Sequence, residues 1–120
     1  MSRTPDPQVQ ELAGHALSAL REHGWTQHTL QSPTGQMCLW GSVLHASQQQ
    51  TGKRNGPTAR RLTRRLWHTL KKQHPADLDR LRPTLRKAWP FGHFRVQVWN
   101  DNAGQAHTAE ALLEQVHRNG

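Results

Sequence analysis

The stretch TARRLTRRLWHTLKKQ, residues 58–73, organises the rest of the chain. Placed at about 100° per residue, it separates into an apolar arc and an opposite basic side. The arc consists of Ala59, Leu62, Leu66 and Leu70, with Trp67 at its border. The opposite side carries Arg60, Arg61, Arg64, Arg65, His68, Lys71 and Lys72. The pattern predicts an amphipathic helix that buries one face and presents cations on the other.

The segment immediately before this helix, residues 48–57, is polar. It contains three successive glutamines, two glycines and a proline, a composition that predicts an exposed, flexible connection. Farther back, residues 37–49 place apolar side chains at helical spacing, although Gly41 weakens a helix there by about 1 kcal/mol relative to alanine. Residues 25–35 include Ser-Pro-Thr-Gly and predict a loop, preceded by at most a short extended piece.

The N-terminal region has signals for both ends of a helix. Asp6 is a suitable cap, Pro7 suits the first helical position, and Gly24 suits the end. Between them, apolar residues recur on one face: Val9, Leu12, Ala13, Ala16, Leu17 and Leu20. The pattern predicts an amphipathic helix that ends at Gly24.

Two further helical regions follow the basic helix. Residues 75–88 carry leucines at helical spacing, and Pro83 would either kink one helix there or start a second. Thr108 predicts the cap of a final helix. That helix contains the apolar residues Ala109, Leu112, Leu113 and Val116.

Residues 94–99, Phe-Arg-Val-Gln-Val-Trp, alternate apolar and polar side chains. Such alternation predicts a half-buried strand, and the Asn-Asp-Asn-Ala-Gly sequence at residues 100–104 predicts the turn that follows it. A single strand leaves its backbone groups unpaired, so it must pair with a segment within residues 25–39 or with a second chain.

These elements predict a mainly α fold of the α+β class. We expect four to five short helices and one or two short strands in a single domain over residues 1–120. Only 33% of the residues are apolar, and five tryptophans supply much of the surface available for burial. Because small domains bury a limited fraction of their surface, so thin a core favours completion by a partner protein or by a second copy of the chain in a homodimer.

Positive charge is concentrated in the middle of the chain. The net charge is +8, and residues 53–95 hold thirteen of the sixteen basic residues but only two acids. A basic helix of this kind is suited to phosphate groups, so the expected partner is DNA, RNA or an acidic protein surface. The predicted contact residues are Lys53, Arg54, Arg60, Arg61, Arg64, Arg65, His68, Lys71 and Lys72.

The sequence gives little support for metal, cofactor or membrane chemistry. The nine histidines and the single cysteine, Cys38, do not form a zinc-ligand spacing, and we expect no metal and no cofactor. No secretory signal is present, and no window approaches the roughly 18–20 apolar residues that span a bilayer. We therefore expect a cytoplasmic protein without a membrane partner.

We also expect no enzymatic activity, although a Cys38-based activity is an alternative. Cys38 lies in an apolar stretch, which favours an inert buried thiol. Nucleophilic catalysis would require a histidine and an orienting side chain beside it. The candidates are His93, His107, Asn100 and Asp101.

The sequence Trp99-Asn100-Asp101 is a second candidate site. Asn and Asp side chains commonly hydrogen-bond nearby backbone groups, so the three residues are expected to brace a turn, with Trp99 packed beneath it. The alternative is that Asp101 presents its carboxylate to a ligand.

Three segments together resemble a small uncharacterised family of bacterial and phage proteins. They are Gly24-Trp25, Cys38-Leu39-Trp40-Gly41-Ser42 and Trp99-Asn100-Asp101. The resemblance spans most of the chain and implies an architecture but no activity. The basic stretch between the second and third segments lies outside the pattern.

Two functions are consistent with these features. The first is an auxiliary nucleic-acid-binding protein whose basic helix contacts mainly the phosphate backbone, without catalysis. The second, which depends on the resemblance, is a phage or mobile-element protein that binds and inhibits a host defence or nucleic-acid-processing complex.

Overall fold

The computed structural model describes residues 6–29, 31–88 and 92–119, without the side chains of residues 88 and 92–94. Within these ranges the chain forms seven helices around one hydrophobic core. They are α1 (Pro7–His23), α2 (Leu39–Thr51), α3 (Pro57–Gln73), α4 (Pro75–Arg80), α5 (Arg82–Ala88), α6 (Gly92–Asn102) and α7 (Ala106–Asn119). The mainly helical class is therefore confirmed, whereas the predicted helix count is too low.

Helix α1 has the predicted ends. The Asp6 side chain accepts a hydrogen bond from the Val9 N–H at 3.3 Å, and Pro7 occupies the first turn. Gly24 ends the helix with a φ of 90°, a conformation that residues with a Cβ rarely adopt. The predicted apolar face is buried along its whole length.

Helix α3 lies at the centre of the fold, in contact with α1, α2, α6 and α7. Its predicted apolar residues Ala59, Leu62, Leu66 and Leu70 are all fully buried. The preceding connection is shorter than residues 48–57, because α2 continues through Thr51 and α3 begins at Pro57. Residues 52–56 join the two helices, and all but Gly56 are exposed.

The predicted strand at residues 94–99 is wrong, and so is the predicted turn at residues 100–104. Residues 92–102 form α6, and the chain leaves the helix only at Ala103 and Gly104. Among residues 95–102 of α6, the buried ones are Val96, Trp99 and Asn100. Their spacing of three and four residues places them on one helical face. Over only six residues, the alternation of apolar and polar side chains fits a strand as well as it fits this helical face.

Extended pairing occurs instead in the loop between α1 and α2. Met37 forms isolated bridges with Trp25 and with Gln31, and these bridges are the only β pairing in the described ranges. The predicted strands are therefore absent there as regular strands. The loop folds back on itself and carries Trp25 toward α6.

The remaining helices differ from the predictions at their ends. Leu81 separates α4 from α5, so the region around Pro83 forms two helices. Helix α7 begins at Ala106, before Thr108. The Thr108 hydroxyl accepts from the Gln105 N–H at 2.9 Å, so it supports the first turn from inside the helix rather than capping it. None of the helices in the described ranges has the length and apolar run that a membrane crossing requires.

Candidate functional sites

The basic residues of α3 form two rows along the helix. Residues 60, 64, 67 and 71 form one row, and residues 61, 65, 68 and 72 form the other. The cations of the first row, Arg60, Arg64 and Lys71, are all exposed, and we call them the open row. The ion pairs in the described part of the chain give none of these three a carboxylate partner.

The second row is partly used to hold the fold together. Arg61 donates from Nε to Asp6 Oδ2 at 2.9 Å and from Nη2 to Gln8 Oε1 at 2.6 Å. Both acceptors belong to the start of α1, so Arg61 ties that helix to α3. Arg65 and His68 are partly buried and have interactions within the protein, whereas Lys72 is exposed.

The Asp6 carboxylate accepts hydrogen bonds from Val9 and Arg61, and these contacts favour its ionised form. Partial burial alone would raise the pKa of Asp6, but hydrogen bonds from Arg61 and the Val9 N–H, together with the Arg61 charge, hold that pKa below its ordinary value of 3.8. Asp6 therefore stays ionised at neutral pH, where it both caps α1 and pairs with Arg61.

Trp67 lies in the same row of α3 as the three cations of the open row, but its ring is partly buried. Its ring packs against the hydrophobic core, and the guanidinium carbon of Arg95 lies 5.4 Å from the ring centroid. This is a cation–π contact between α3 and α6. It brings the positive charge of Arg95 next to Trp67, a contact that sequence spacing did not predict.

Lys53 and Arg54 lie in the connection that leads into α3, and both are exposed. The backbone of Lys53 is held in place by Thr51, whose hydroxyl accepts from the Lys53 N–H at 3.1 Å. The connection is thus anchored to the end of α2. Its two cations precede the first turn of α3 in the chain.

Four arginines elsewhere in the described part of the chain have acidic partners. Arg80 and Arg82 pair with Asp77 and Asp79 at N···O distances of 3.5 and 2.8 Å. Arg21 pairs with Glu110 across α1 and α7, and Arg118 pairs with Glu114 along α7. Much of the acidic charge is therefore occupied away from the open row.

A different kind of site surrounds Asn100, which is completely buried. Its Oδ1 accepts hydrogen bonds from Trp25 Nε1 at 2.8 Å and from the Leu39 N–H at 3.0 Å. Its Nδ2 donates to the Thr26 carbonyl at 3.1 Å and to Asp101 Oδ1 at 3.2 Å. One side chain of α6 thereby joins the loop after α1 to the start of α2.

Asp101 extends this network toward the surface. Its carboxylate is 17% exposed and accepts from the His28 N–H at 2.7 Å and from Gln97 Nε2 at 3.1 Å. His28 has a φ of 66°, which is uncommon for a residue with a Cβ. The hydrogen bond to Asp101 helps to hold that conformation. Its imidazole Nδ1 lies 4.0 Å from Asp101 Oδ2.

Asn100 and Asp101 do not brace a local turn, as the sequence predicted, but join segments that are far apart in the sequence. Asn100 bonds to groups 61 to 75 residues away, together with its neighbour Asp101. Trp99 is also buried, and its Nε1 donates to Asp77 Oδ2 at 3.4 Å. Sequence reasoning missed Gln97 and His28, and the only local signal was that Gln97 precedes Asp101 by one helical turn.

Cys38 is the N-cap of α2 and is completely buried. Its Sγ accepts from the Gly41 N–H at 3.1 Å and donates to Gln97 Oε1 at 3.3 Å. Burial raises the pKa of the thiol, and the negative charge of Asp101 adds to the increase. The thiol is therefore protonated at neutral pH, which disfavours nucleophilic attack.

The proposed helpers of Cys38 do not form a catalytic group with it. Asn100 is occupied by its four hydrogen bonds, and Asp101 reaches Cys38 only through Gln97. His107 is exposed at the start of α7, and the His93 side chain lies outside the described residues. In the described part of the chain, no three His, Cys, Asp or Glu side chains converge as metal ligands would.

The three segments Gly24-Trp25, Cys38 to Ser42 and Trp99-Asn100-Asp101 thus meet around one buried side chain. A family model matches residues 4–119. The chain belongs to DUF6197, a family of unknown function. The expected membership of an uncharacterised family is confirmed, and the match extends across the basic helix as well. No curated protein and no solved structure matches the chain.

Proposed function

We propose that this member of the DUF6197 family binds nucleic acid through the phosphate backbone and performs no chemistry on it. The observation that carries the proposal is the open row of α3, which presents Arg60, Arg64 and Lys71 to solvent without acidic partners in the described structure. Exposed arginine and lysine side chains neutralise phosphates and release their counterions. Lys53 and Arg54 supply further exposed cations in the connection before α3.

The proposal assigns a mainly structural role to the basic residues of α3 that have contacts within the protein. Arg61 already has two oxygen acceptors from the start of α1, so its main role is structural. Arg65 and His68 also have interactions within the protein. The binding surface is therefore narrower than the whole basic face and is centred on the open row.

The absence of chemistry in the proposal rests on Cys38 and its surroundings. A buried, protonated thiol that caps a helix is a structural group. Asp101 is likewise held by donors from the protein itself. Both residues are explained by the network that joins α2, α6 and the loop after α1.

The test is the salt dependence of binding, measured by fluorescence anisotropy with labelled duplex DNA. For three phosphate contacts, affinity should fall about 40-fold between about 50 and 200 mM salt. The double variant Arg60→Gln/Arg64→Gln should weaken binding about tenfold and make the logarithmic salt slope less steep by about two.

The matched control is Arg21→Gln/Arg118→Gln, which removes the same charge from two arginines that pair with glutamates. It should lower affinity by less than about threefold, since only the long-range field changes. Equal effects of the two double variants would show that net charge alone governs binding. If the purified chain binds no nucleic acid at low salt, the proposal is wrong and an acidic protein surface becomes the alternative partner.

A further inference from the structure

The positions of the open-row cations along α3 restrict the choice of ligand. At about 1.5 Å of rise per residue, Arg60 and Arg64 are about 6 Å apart along the helix axis, and Lys71 lies about 10 Å beyond Arg64. The guanidinium of Arg95 lies over Trp67 and adds a cation from α6 beside that ring. The three cations of α3 themselves follow one line along about 16 Å of helix. An exposed line of this length is long enough to contact several phosphates of one strand.

Trp67 is the aromatic residue of this line, and its environment disfavours base stacking. Proteins that bind single strands without sequence preference combine basic grooves with aromatic side chains on which bases stack. Here the Trp67 ring packs against the core, and Arg95 lies 5.4 Å from its centroid. The ring contributes a fixed position for Arg95 rather than a free stacking surface.

We infer that the ligand of the open row is double-stranded DNA, bound along the phosphates at the edge of the major groove. The inference rests on the proposed function and specifies its ligand. Because its other sides pack against α1, α2, α6 and α7, α3 can approach the DNA only with the open row, and the major groove of B-form DNA, about 12 Å wide, leaves room for the side of a helix at its edge. The major groove of an RNA duplex is deep and too narrow for side chains to enter. Backbone contacts alone imply little sequence preference.

The experiment compares three probes by competition at one salt concentration. They are a DNA duplex, an RNA duplex of the same sequence, and a DNA single strand with twice as many nucleotides, so that all three carry similar numbers of phosphates. The wild-type chain should bind the DNA duplex at least about fivefold more tightly than either the single strand or the RNA duplex.

Two variants test the role assigned to Trp67. Trp67→Leu should leave single-strand affinity within about twofold, because no base stacks on the ring. Arg95→Ala uncovers the ring and removes one cation, so it should weaken duplex binding and reduce the preference for duplex over single strand. Circular dichroism establishes that each variant is folded, and Arg95→Ala provides the test if Trp67→Leu does not fold.

The outcomes separate the inference from the proposed function. Binding of the single strand or of the RNA duplex that is as tight as binding of the DNA duplex, or tighter, overturns the inference and leaves nucleic-acid binding intact. Loss of single-strand binding in Trp67→Leu, or an unchanged preference in Arg95→Ala, also overturns it. Absence of binding to all three probes overturns the proposed function and the inference together.

Discussion

Helices α3 and α6 are both rich in polar residues, and they orient them oppositely. Helix α3 buries only apolar groups and one threonine, and it directs its arginines and lysines outward. Helix α6 directs Asn100 into the protein, where all of its hydrogen-bonding groups have partners. In α6, the buried Asn100 side chain stabilises the fold because it bonds to polar groups of distant segments. In α3, the cations without a carboxylate partner in the described structure remain exposed to solvent.

The largest effect on stability should come from Asn100→Leu. The substitution keeps the approximate volume but removes the partners of the Trp25 indole N–H, the Leu39 N–H and the Thr26 carbonyl. Buried groups without partners cost about 1–3 kcal/mol each, so the free energy of unfolding should fall by about 3–5 kcal/mol. Urea denaturation followed by circular dichroism measures this change.

Asn102→Leu is the matched control, since Asn102 lies on the same helix but is exposed. Its Nδ2 donates to the Val98 carbonyl within α6, and water replaces that partner. The control should change the free energy of unfolding by less than about 0.5 kcal/mol. Similar effects at the two positions would mean that the buried network does not join the segments as described.

The Cys38 thiol should contribute about 1 kcal/mol as a cap of α2, which Cys38→Ala removes and Cys38→Ser largely retains. Because its pKa is raised above the ordinary value of 9.0, the folded state favours the protonated thiol. Unfolding therefore becomes easier as the pH rises above about 9 in the wild type, but not in Cys38→Ser. Denaturation at several alkaline pH values tests the difference, and parallel curves would contradict it.

Arg61 belongs to the basic face of α3, but it is held within the protein by its ion pair with Asp6. Arg61→Gln should lower the free energy of unfolding by about 0.5–1 kcal/mol, a modest value because the pair is partly exposed. The pKa of Asp6 is lowered by the fold, so this contribution is complete above about pH 5 and is lost as pH falls below 3.8. Acid denaturation curves of wild type and variant should converge there; a constant difference down to acid pH would contradict the assignment.

The parts of the structure that the sequence predicted are those fixed by near neighbours. Asp6 and Gly24 end α1 through contacts three and four residues away, and the apolar spacing of α3 places it on the core. Helix α6 was missed because Val96 and Val98 fit a strand as well as a helix over so short a run. The decisive partners of Asn100 lie in another part of the chain, and no local pattern records them.

The same reason explains why the basic face was predicted only as a whole. Arg60 and Arg61 are adjacent and chemically identical, and the sequence near them contains no acid. Their difference arises from Asp6, which is 55 residues before Arg61 and reaches it only because α1 packs on α3. Sequence pattern identifies a charged face, whereas tertiary contacts decide which of its charges remain available.

The smallest effect should come from the open row itself, and its sign is informative. Arg60 and Arg64 are separated by one helical turn, where like charges destabilise a helix by about 0.2–0.5 kcal/mol. Arg64→Gln removes that repulsion without removing an ion pair found in the described structure. It should therefore leave stability unchanged or raise it by a few tenths of a kcal/mol, with the gain disappearing at high salt. A loss above about 1 kcal/mol would mean that Arg64 supports the fold. A gain in stability on Arg64→Gln would show that this arginine does not stabilise the fold, as the proposed contact with phosphates requires.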